Sequence, residues 1–331
     1  MSEPRGAKPE IFVHADGDLL ANAAAARIIT RVADAQAATG HAHLVLTGGG
    51  IGTKVLAGLA AAPARDAVDW HAVDFWWGDE RFVPAGHPDR NETGARAALL
   101  DKIDADPARI HPMPGPDGPD GDDPEAAARR YAAELKAAAR PGDPGEVLYL
   151  PGQPAPTDLP RLPGQPAPTY LPVFDILMLG IGPEGHVASL FPEMPQIRDT
   201  SPVVAVRDSP KPPPVRISLT FGPIQGAREV WILASGAEKA DAVAGAAAGT
   251  DPARLPAAGA RGAERTLFLL DEAAAGKLPR LSVTDRGGCD VNSRYDPLGM
   301  RVRSQVIRLP RPANASPAAR HTAGTAARAY R

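Results

Sequence analysis

The sequence predicts an α/β fold, a doubly wound and mainly parallel sheet with helices on both faces. Two observations carry that prediction. Short apolar runs rich in branched side chains alternate with alanine-rich helical segments, and the runs empty repeatedly into glycine-rich or polar turns. A length of 331 residues with 44% hydrophobic content can bury a large core, as one big α/β domain or two smaller ones.

Ile11-Phe12-Val13-His14 reads as the first strand, followed by a helix over residues 18–36 that closes near Gly40. Residues 41–47 form the second strand and run into Gly48-Gly49-Gly50-Ile51-Gly52-Thr53, with a helix over 54–62 beyond. Val73-Asp74-Phe75-Trp76-Trp77 is the third strand, ending at Gly78-Asp79-Glu80-Arg81; its tryptophans belong to the core. Helices are expected over residues 92–103 and 124–139, the second opening with a proline at a helix-start position. Between them, residues 112–123 are proline, glycine and aspartate, a solvated loop.

The peptide Leu150-Pro151-Gly152-Gln153-Pro154-Ala155-Pro156-Thr157 recurs as Leu162-Pro163-Gly164-Gln165-Pro166-Ala167-Pro168-Thr169. So much proline excludes helix and inner strand, and the duplication reads as an extended surface insertion near residues 150–172. The apolar run Ile176-Leu177-Met178-Leu179 has the character of a buried parallel strand and leads into Gly180-Ile181-Gly182-Pro183-Glu184-Gly185-His186. Further strands follow at residues 203–206, 216–220 and 229–234, the last reaching Ser235-Gly236-Ala237 and a helix that carries Glu238, Lys239 and Asp241. Residues 266–271 form the final strand. The organisation is a short N-terminal extension over 1–10, an α/β domain over 11–280, and an arginine-, alanine- and proline-rich tail over 281–331 that reads as disordered.

The formal net charge of -3 gives no long-range attraction for nucleic acid or anionic membranes, so neither is an expected partner. A single cysteine, Cys289, excludes an intramolecular disulfide and cysteine-rich metal clusters. No apolar run has the length of a membrane span or the form of a signal peptide, and the cytoplasm is the simplest assignment.

Four strands end in polar or glycine-rich turns: residues 47–53, 78–81, 180–186 and 235–239. Side by side in one parallel sheet, these turns converge on the edge where ligands bind. The first turn and the helix start behind it suit a phosphate or carboxylate, and the glycines read equally well as a tight turn without a ligand. Their spacing matches neither the dinucleotide nor the P-loop fingerprint. Arg81 is either a phosphate clamp or a strand-end charge paired with Asp79 or Glu80. Lys239 sits at a helix start, where an anionic ligand would offset the helix dipole; otherwise it bridges to Glu238 or Asp241. His186 has a carboxylate two residues before it that can orient it as a base. Ser189 lacks the Gly-x-Ser-x-Gly elbow, and no His-x-x-x-His pair suggests zinc, so water activated by His186 is the simpler chemistry.

Taken together and in order, Leu44-Val45-Leu46-Thr47-Gly48-Gly49-Gly50, Trp77-Gly78-Asp79-Glu80-Arg81-Phe82-Val83-Pro84, His87-Pro88-Asp89-Arg90-Asn91, residues 180–192, Arg216-Ile217-Ser218-Leu219-Thr220 and Gly236-Ala237-Glu238-Lys239-Ala240 resemble the 6-phosphogluconolactonase family. That family lies within the larger group that also holds glucosamine-6-phosphate isomerase/deaminases. The deaminase relatives carry a Met-Asp-Glu-Tyr type motif in place of Asp-Glu-Arg and His-Ile-Ala-Phe-Asn-Glu-Pro in place of His186-Val187-Ala188-Ser189-Leu190-Phe191-Pro192, so this chain sides with the lactonases. It departs from many members in having Glu184 where they have aspartate.

The resemblance implies hydrolysis of 6-phospho-D-glucono-1,5-lactone to 6-phosphogluconate in the oxidative pentose phosphate pathway, without metal or organic cofactor. His186 would be the general base and Glu184 its orienting carboxylate. Thr47, Gly48, Gly49, Arg81, Arg216 and Lys239 would hold the phosphate. Gly185 would contact the substrate, with backbone N–H groups of residues 182–185 as oxyanion donors. The expected partner is the sugar-phosphate lactone alone, the expected assembly a monomer or small homo-oligomer. The competing readings are an amino-sugar-phosphate isomerase/deaminase and a non-catalytic sugar-phosphate sensor.

Overall fold

The computed structural model describes residues 9–139 and 171–279 together with the backbone of Gln305–Ile307; the tandem duplication and the rest of the C-terminal tail lie outside the described residues. The chain opens with β1 (Pro9–His14), two residues earlier than the apolar run alone suggests, and α1 (Gly17–Thr39). Asp16 accepts N–H bonds from Asp18 and Leu19 at 2.9 and 2.8 Å, which caps the helix start, and Gly40 ends it at φ 79°. Next come β2 (Ala42–Leu46), α2 (Gly49–Ala61), β3 (Val73–Trp77) and the short β4 (Asp79–Arg81). The helix α2 starts earlier than expected, because the glycines form its first turn instead of a loop before it.

Beyond β4 lie α3 (Asn91–Ala98) and α4 (Pro124–Ala138), the latter capped by Asp123 with proline in its first turn. The expected helix over 92–103 breaks at Leu99, whose φ of -137° leaves the helical region, and continues only as a 3-10 turn, Leu100–Lys102. The second half supplies β5 (Ile176–Gly180), β6 (Val203–Val206), β7 (Arg216–Leu219), α5 (Phe221–Gly226), β8 (Glu229–Ala234), α6 (Ala240–Ala248) and β9 (Arg265–Asp271), with β10 (Gln305–Ile307) drawn from the tail.

Seven strands form the main sheet in the order β10-β1-β9-β8-β5-β2-β3, parallel throughout except for β10, which pairs antiparallel with β1. Every residue of β2, β3 and β8 is buried, so both faces of the sheet are covered, which is why these strands read as unbroken apolar runs. Trp76 and Trp77 are fully enclosed, as their core assignment requires. The strands β6 and β7 do not join this sheet. With β4 they make a separate antiparallel sheet, ordered β4-β7-β6, that stands over one end of the main sheet through the hydrogen bond from Leu219 N–H to Gly78 O at 2.9 Å.

Two features of this topology position the site. The adjacent strands β2 and β5 continue in opposite directions, β2 to β3 and β5 to β8, which opens a crevice beyond their C-terminal ends. The small sheet then brings Arg81 and Arg216 together, since they are partners in the β4–β7 register. Among the described residues, no helix is long and apolar enough to cross a membrane.

Candidate active site

A cleft of about 610 Å³ occupies that crevice. Its floor is the end of β2, where Thr47 Oγ1 accepts the N–H of Gly180 at 3.2 Å and so ties the first glycine turn to the end of β5. A Cβ on Gly48 would overlap the Asn91 carboxamide, so glycine there permits the close approach of β2 to α3. Gly49 opens α2 at φ 78°, and Thr47, Gly48 and Gly49 all line the cleft beside the helix N-terminus.

Arg81 arrives from β4. Its Nη1 donates to Asn91 Oδ1 at 2.9 Å and to Asp89 O at 2.7 Å, neither of them the acids expected to pair with it. The neighbouring Glu80 carboxylate accepts N–H bonds from Arg81, Asn91 and Glu92 at 2.8, 2.7 and 2.9 Å, which caps α3 and fastens it to β4. Arg216 also borders the cleft, but most of its guanidinium faces backbone: Nε donates to Pro213 O, and Nη2 to Lys211 O and Pro212 O. Its Nη1 lies 3.9 Å from Asp79. Lys239 sits in the 3-10 turn Ala237–Lys239 ahead of α6, after a Gly236 at φ 105° whose N–H is held by the Asp271 carboxylate at 3.1 and 3.2 Å. It faces the cleft, while Asp241 pairs with Lys277 at 2.7 Å instead. Burial, and after it the charge of Lys211, lowers the pKa of Lys239.

His186 lines the cleft from the turn after β5, with its ring 4.6 Å from that of Phe191. Nδ1 lies 2.9 Å from Glu184 Oε1, so the carboxylate that sequence reasoning placed beside the ring is in contact with it. Burial lowers the His186 pKa and the Lys211 charge lowers it further, against the Glu184 and Asp79 carboxylates that raise it. The imidazole is therefore neutral at neutral pH. Burial alone would raise Glu184, yet its own backbone N–H, Lys211 and His186 outweigh that and hold it below the usual carboxylate range. An ionised carboxylate only accepts, so Nδ1 carries the proton and Nε2 is the basic nitrogen.

The hydrogen bonds of the turn itself bear on the expected oxyanion donors. The Gly182 N–H donates to His186 O and the Gly185 N–H to Gly182 O, both at 2.9 Å, so these two donors build the turn and are not free for an oxyanion. Gly185 takes φ 91°, and its carbonyl accepts the Ala257 N–H. Ser189 is buried with Oγ donating to Asp79 Oδ2 at 2.7 Å, which removes it as a nucleophile.

The structure adds residues to which sequence reasoning gave no role. Asn91 links Arg81, Asp79 and the Gly48 turn, and Lys211 donates to both oxygens of Glu184. Lys211 was legible only as the one cation in a proline run, Pro210-Lys211-Pro212-Pro213-Pro214. The cleft wall carries Lys54, Arg81, Lys211, Arg216 and Lys239 against only Asp79 and Glu238, a balance that suits a dianionic ligand. Among the described residues no group of three or more His, Cys, Asp or Glu is arranged to hold a metal ion.

The chain is similar to known proteins in sequence and in fold. Residues 15–268 match the family model described as glucosamine-6-phosphate isomerases/6-phosphogluconolactonase. A 6-phosphogluconolactonase of Streptomyces coelicolor is 52% identical over 273 residues, 82% of this chain and 95% of the relative. One of Mycobacterium tuberculosis is 46% identical over 270 residues, 81% and 98% of the two chains. Among solved structures, a 6-phosphogluconolactonase from Trypanosoma brucei superposes with a TM-score of 0.64 at 27% identity, covering 82% of this chain and 99% of its own. A monomeric glucosamine-6-phosphate deaminase shares the fold at 19% identity, with a TM-score of 0.60 over 81% and 99% of the chains. Agreement of this extent, spanning every strand end that builds the cleft, shows that the chain belongs to the glucosamine-6-phosphate isomerase/6-phosphogluconolactonase family.

Proposed function

We propose that this chain is a 6-phosphogluconolactonase, which hydrolyses 6-phospho-D-glucono-1,5-lactone to 6-phosphogluconate in the oxidative pentose phosphate pathway, with His186 as general base. The observation that carries the mechanism is the 2.9 Å contact of His186 Nδ1 with Glu184, made on the wall of a cation-rich cleft that the Thr47-Gly48-Gly49 turn also lines. The lactonase names of relatives at 46–52% identity support the substrate.

The chemistry follows from the groups in place. The phosphate lies at the N-terminus of α2 with Arg81, Arg216 and Lys239 around it, and its binding energy positions the lactone ring against His186. Nε2 removes a proton from a water molecule as the water oxygen attacks the lactone carbonyl, giving a tetrahedral oxyanion and an imidazolium; a positioned base of this kind contributes roughly 10²–10⁴-fold. Glu184 stabilises the imidazolium through Nδ1–H. As the oxyanion collapses, the bond between the carbonyl carbon and the ring oxygen breaks, and Nε2 returns its proton to that oxygen as it leaves. The cationic side chains that hold the phosphate, Arg81, Arg216 and Lys239, also lend their positive field to the oxyanion, since the Gly182 and Gly185 N–H groups are engaged within the turn.

Freshly generated 6-phosphogluconolactone, with 6-phosphogluconate release measured by coupling and corrected for spontaneous hydrolysis, tests the reading. Turnover far above the spontaneous rate is expected, with no ammonia from glucosamine 6-phosphate. Ammonia release without lactone turnover would replace the proposal by the deaminase reading.

A further inference from the structure

The ion pair between Lys211 and Glu184 is not needed for any step above, yet it is built with care. Residues 209–214 carry four prolines around Lys211, which stiffens the segment. Ser209 N–H donates to Pro214 O at 3.0 Å and closes the segment into a loop. Arg216, buried beneath it, then gathers the carbonyls of Lys211, Pro212 and Pro213 through Nε and Nη2 at 3.1–3.2 Å. A loop held in this way delivers the Lys211 ammonium to 2.9 Å from Oε1 and 3.0 Å from Oε2 of Glu184.

Glu184 needs such a restraint. It stands on an exposed turn, its side chain is one-third accessible, and a flexible glutamate loses rotamer freedom when its carboxylate is fixed in one place. Of its two oxygens only Oε1 meets Nδ1 of His186. The charges that face the imidazole are Glu184, Lys211 and Asp79, with Arg216 stacked 6.0 Å from the Phe191 ring on which His186 rests.

Resting on the reading of His186 as general base, we propose that Lys211 is a positioning residue for lactone hydrolysis: it clamps both oxygens of Glu184 so that the carboxylate stays ionised and fixed on Nδ1, leaving a bare Nε2 turned to the cleft. The arrangement has a second effect. A cation beside the pair opposes protonation of the imidazole in the free enzyme, so the base stays available as the pH falls. Removing the cation while leaving the carboxylate therefore predicts two changes together, a slower chemical step and an acid limb moved to higher pH.

The test uses the full chain with K211M, K211R, E184Q, E184Q/K211M and H186A, assayed on fresh 6-phosphogluconolactone across pH. The proposal expects K211M to lower kcat about ten-fold, a part of the contribution of a positioned base, with KM changed less than about two-fold and the acid limb of kcat/KM shifted upward; K211R should restore most of kcat. In the E184Q background, K211M should have little further effect on kcat, because the clamp has lost the charge it holds, while the direct effect of the cation on the acid limb remains. In 15N-labelled protein, the His186 signals should report the Nδ1–H tautomer and shift toward a tautomer mixture in K211M. A raised KM with unchanged kcat and acid limb would make Lys211 a substrate contact and overturn the proposal, as would full additivity of K211M on E184Q in kcat. An active H186A would sink the base reading itself, whereas an inactive H186A beside a normal K211M would sink only the clamp.

Discussion

On the proposed reading His186 is the general base, and its environment sets how activity should respond to substitution and to pH. Changing His186 to Ala removes the proposed base, and kcat should fall roughly 10²–10⁴-fold while 6-phosphogluconate still binds; steady-state kinetics with product titration checks both halves. Because burial holds the imidazole below the ordinary histidine value of 6.5, the active neutral form prevails at neutral pH. The acid limb of kcat/KM should therefore be centred below pH 6.5; a limb centred above that value would contradict the buried geometry. On the same proposal Arg81 acts on binding. Its Nη1 is anchored by Asn91 and the Asp89 carbonyl, so the guanidinium is held in place before any ligand arrives. Arg81→Ala should raise KM for the phosphorylated lactone by about ten-fold or more, consistent with loss of one charge-assisted hydrogen bond, and change kcat less. An unchanged KM would take Arg81 out of the phosphate site.

The elements matter because they bring residues distant in sequence to one edge of the sheet. Gly48 ends up against Asn91, and a methyl group added there would overlap the carboxamide that also holds Arg81 and Asp79. Gly48→Ala should thus weaken substrate binding and lower turnover together while leaving far-UV circular dichroism unchanged, since the clash is confined to the junction of β2 and α3. What could be read in advance follows the same division. Parallel strands such as β2 and β8 are legible because burial on both faces leaves a continuous apolar run, and the glycine turns at their ends are legible because only glycine tolerates the backbone there. The antiparallel sheet of β4, β7 and β6 was not, because nothing in Arg216-Ile217-Ser218-Leu219 tells which strand it will pair with. That pairing is what sets Arg216 beneath the proline loop and Lys211 over Glu184. Likewise, no sequence pattern shows that the N–H groups of Gly182 and Gly185 are consumed by their own turn.

At the scale of the whole molecule, a second cluster of titrating groups sits near the opposite edge of the same sheet. Asp74 and His43 occupy the second positions of β3 and β2 and face each other in register. Asp74 accepts from Arg109 Nη1 at 2.7 Å and lies 3.1 Å from His111 Nε2, while His111 Nδ1 lies 2.8 Å from Glu134 of α4. The His111 ring stacks on Trp76 with centroids 3.8 Å apart. Burial alone would lower the His111 pKa, but hydrogen bonds to the two carboxylates and their charges more than reverse that, and the net shift is upward. A histidine with a raised folded-state pKa contributes stability that is fully present below its unfolded value of 6.5 and is lost as pH rises through the folded value. Thermal melts of His111→Gln against the parent should therefore show the largest deficit below pH 6.5, narrowing as the solution becomes alkaline; a deficit that widened with pH would mean that His111 is neutral in the fold. The two histidines respond in opposite senses. Below pH 6.5, protonation silences His186 at the cleft while the contribution of His111, which ties β3 to α4, is fully present, so activity should fall over a range in which that contribution to the melting temperature is kept, and acid-inactivated protein should regain full turnover on return to neutral pH without a refolding step.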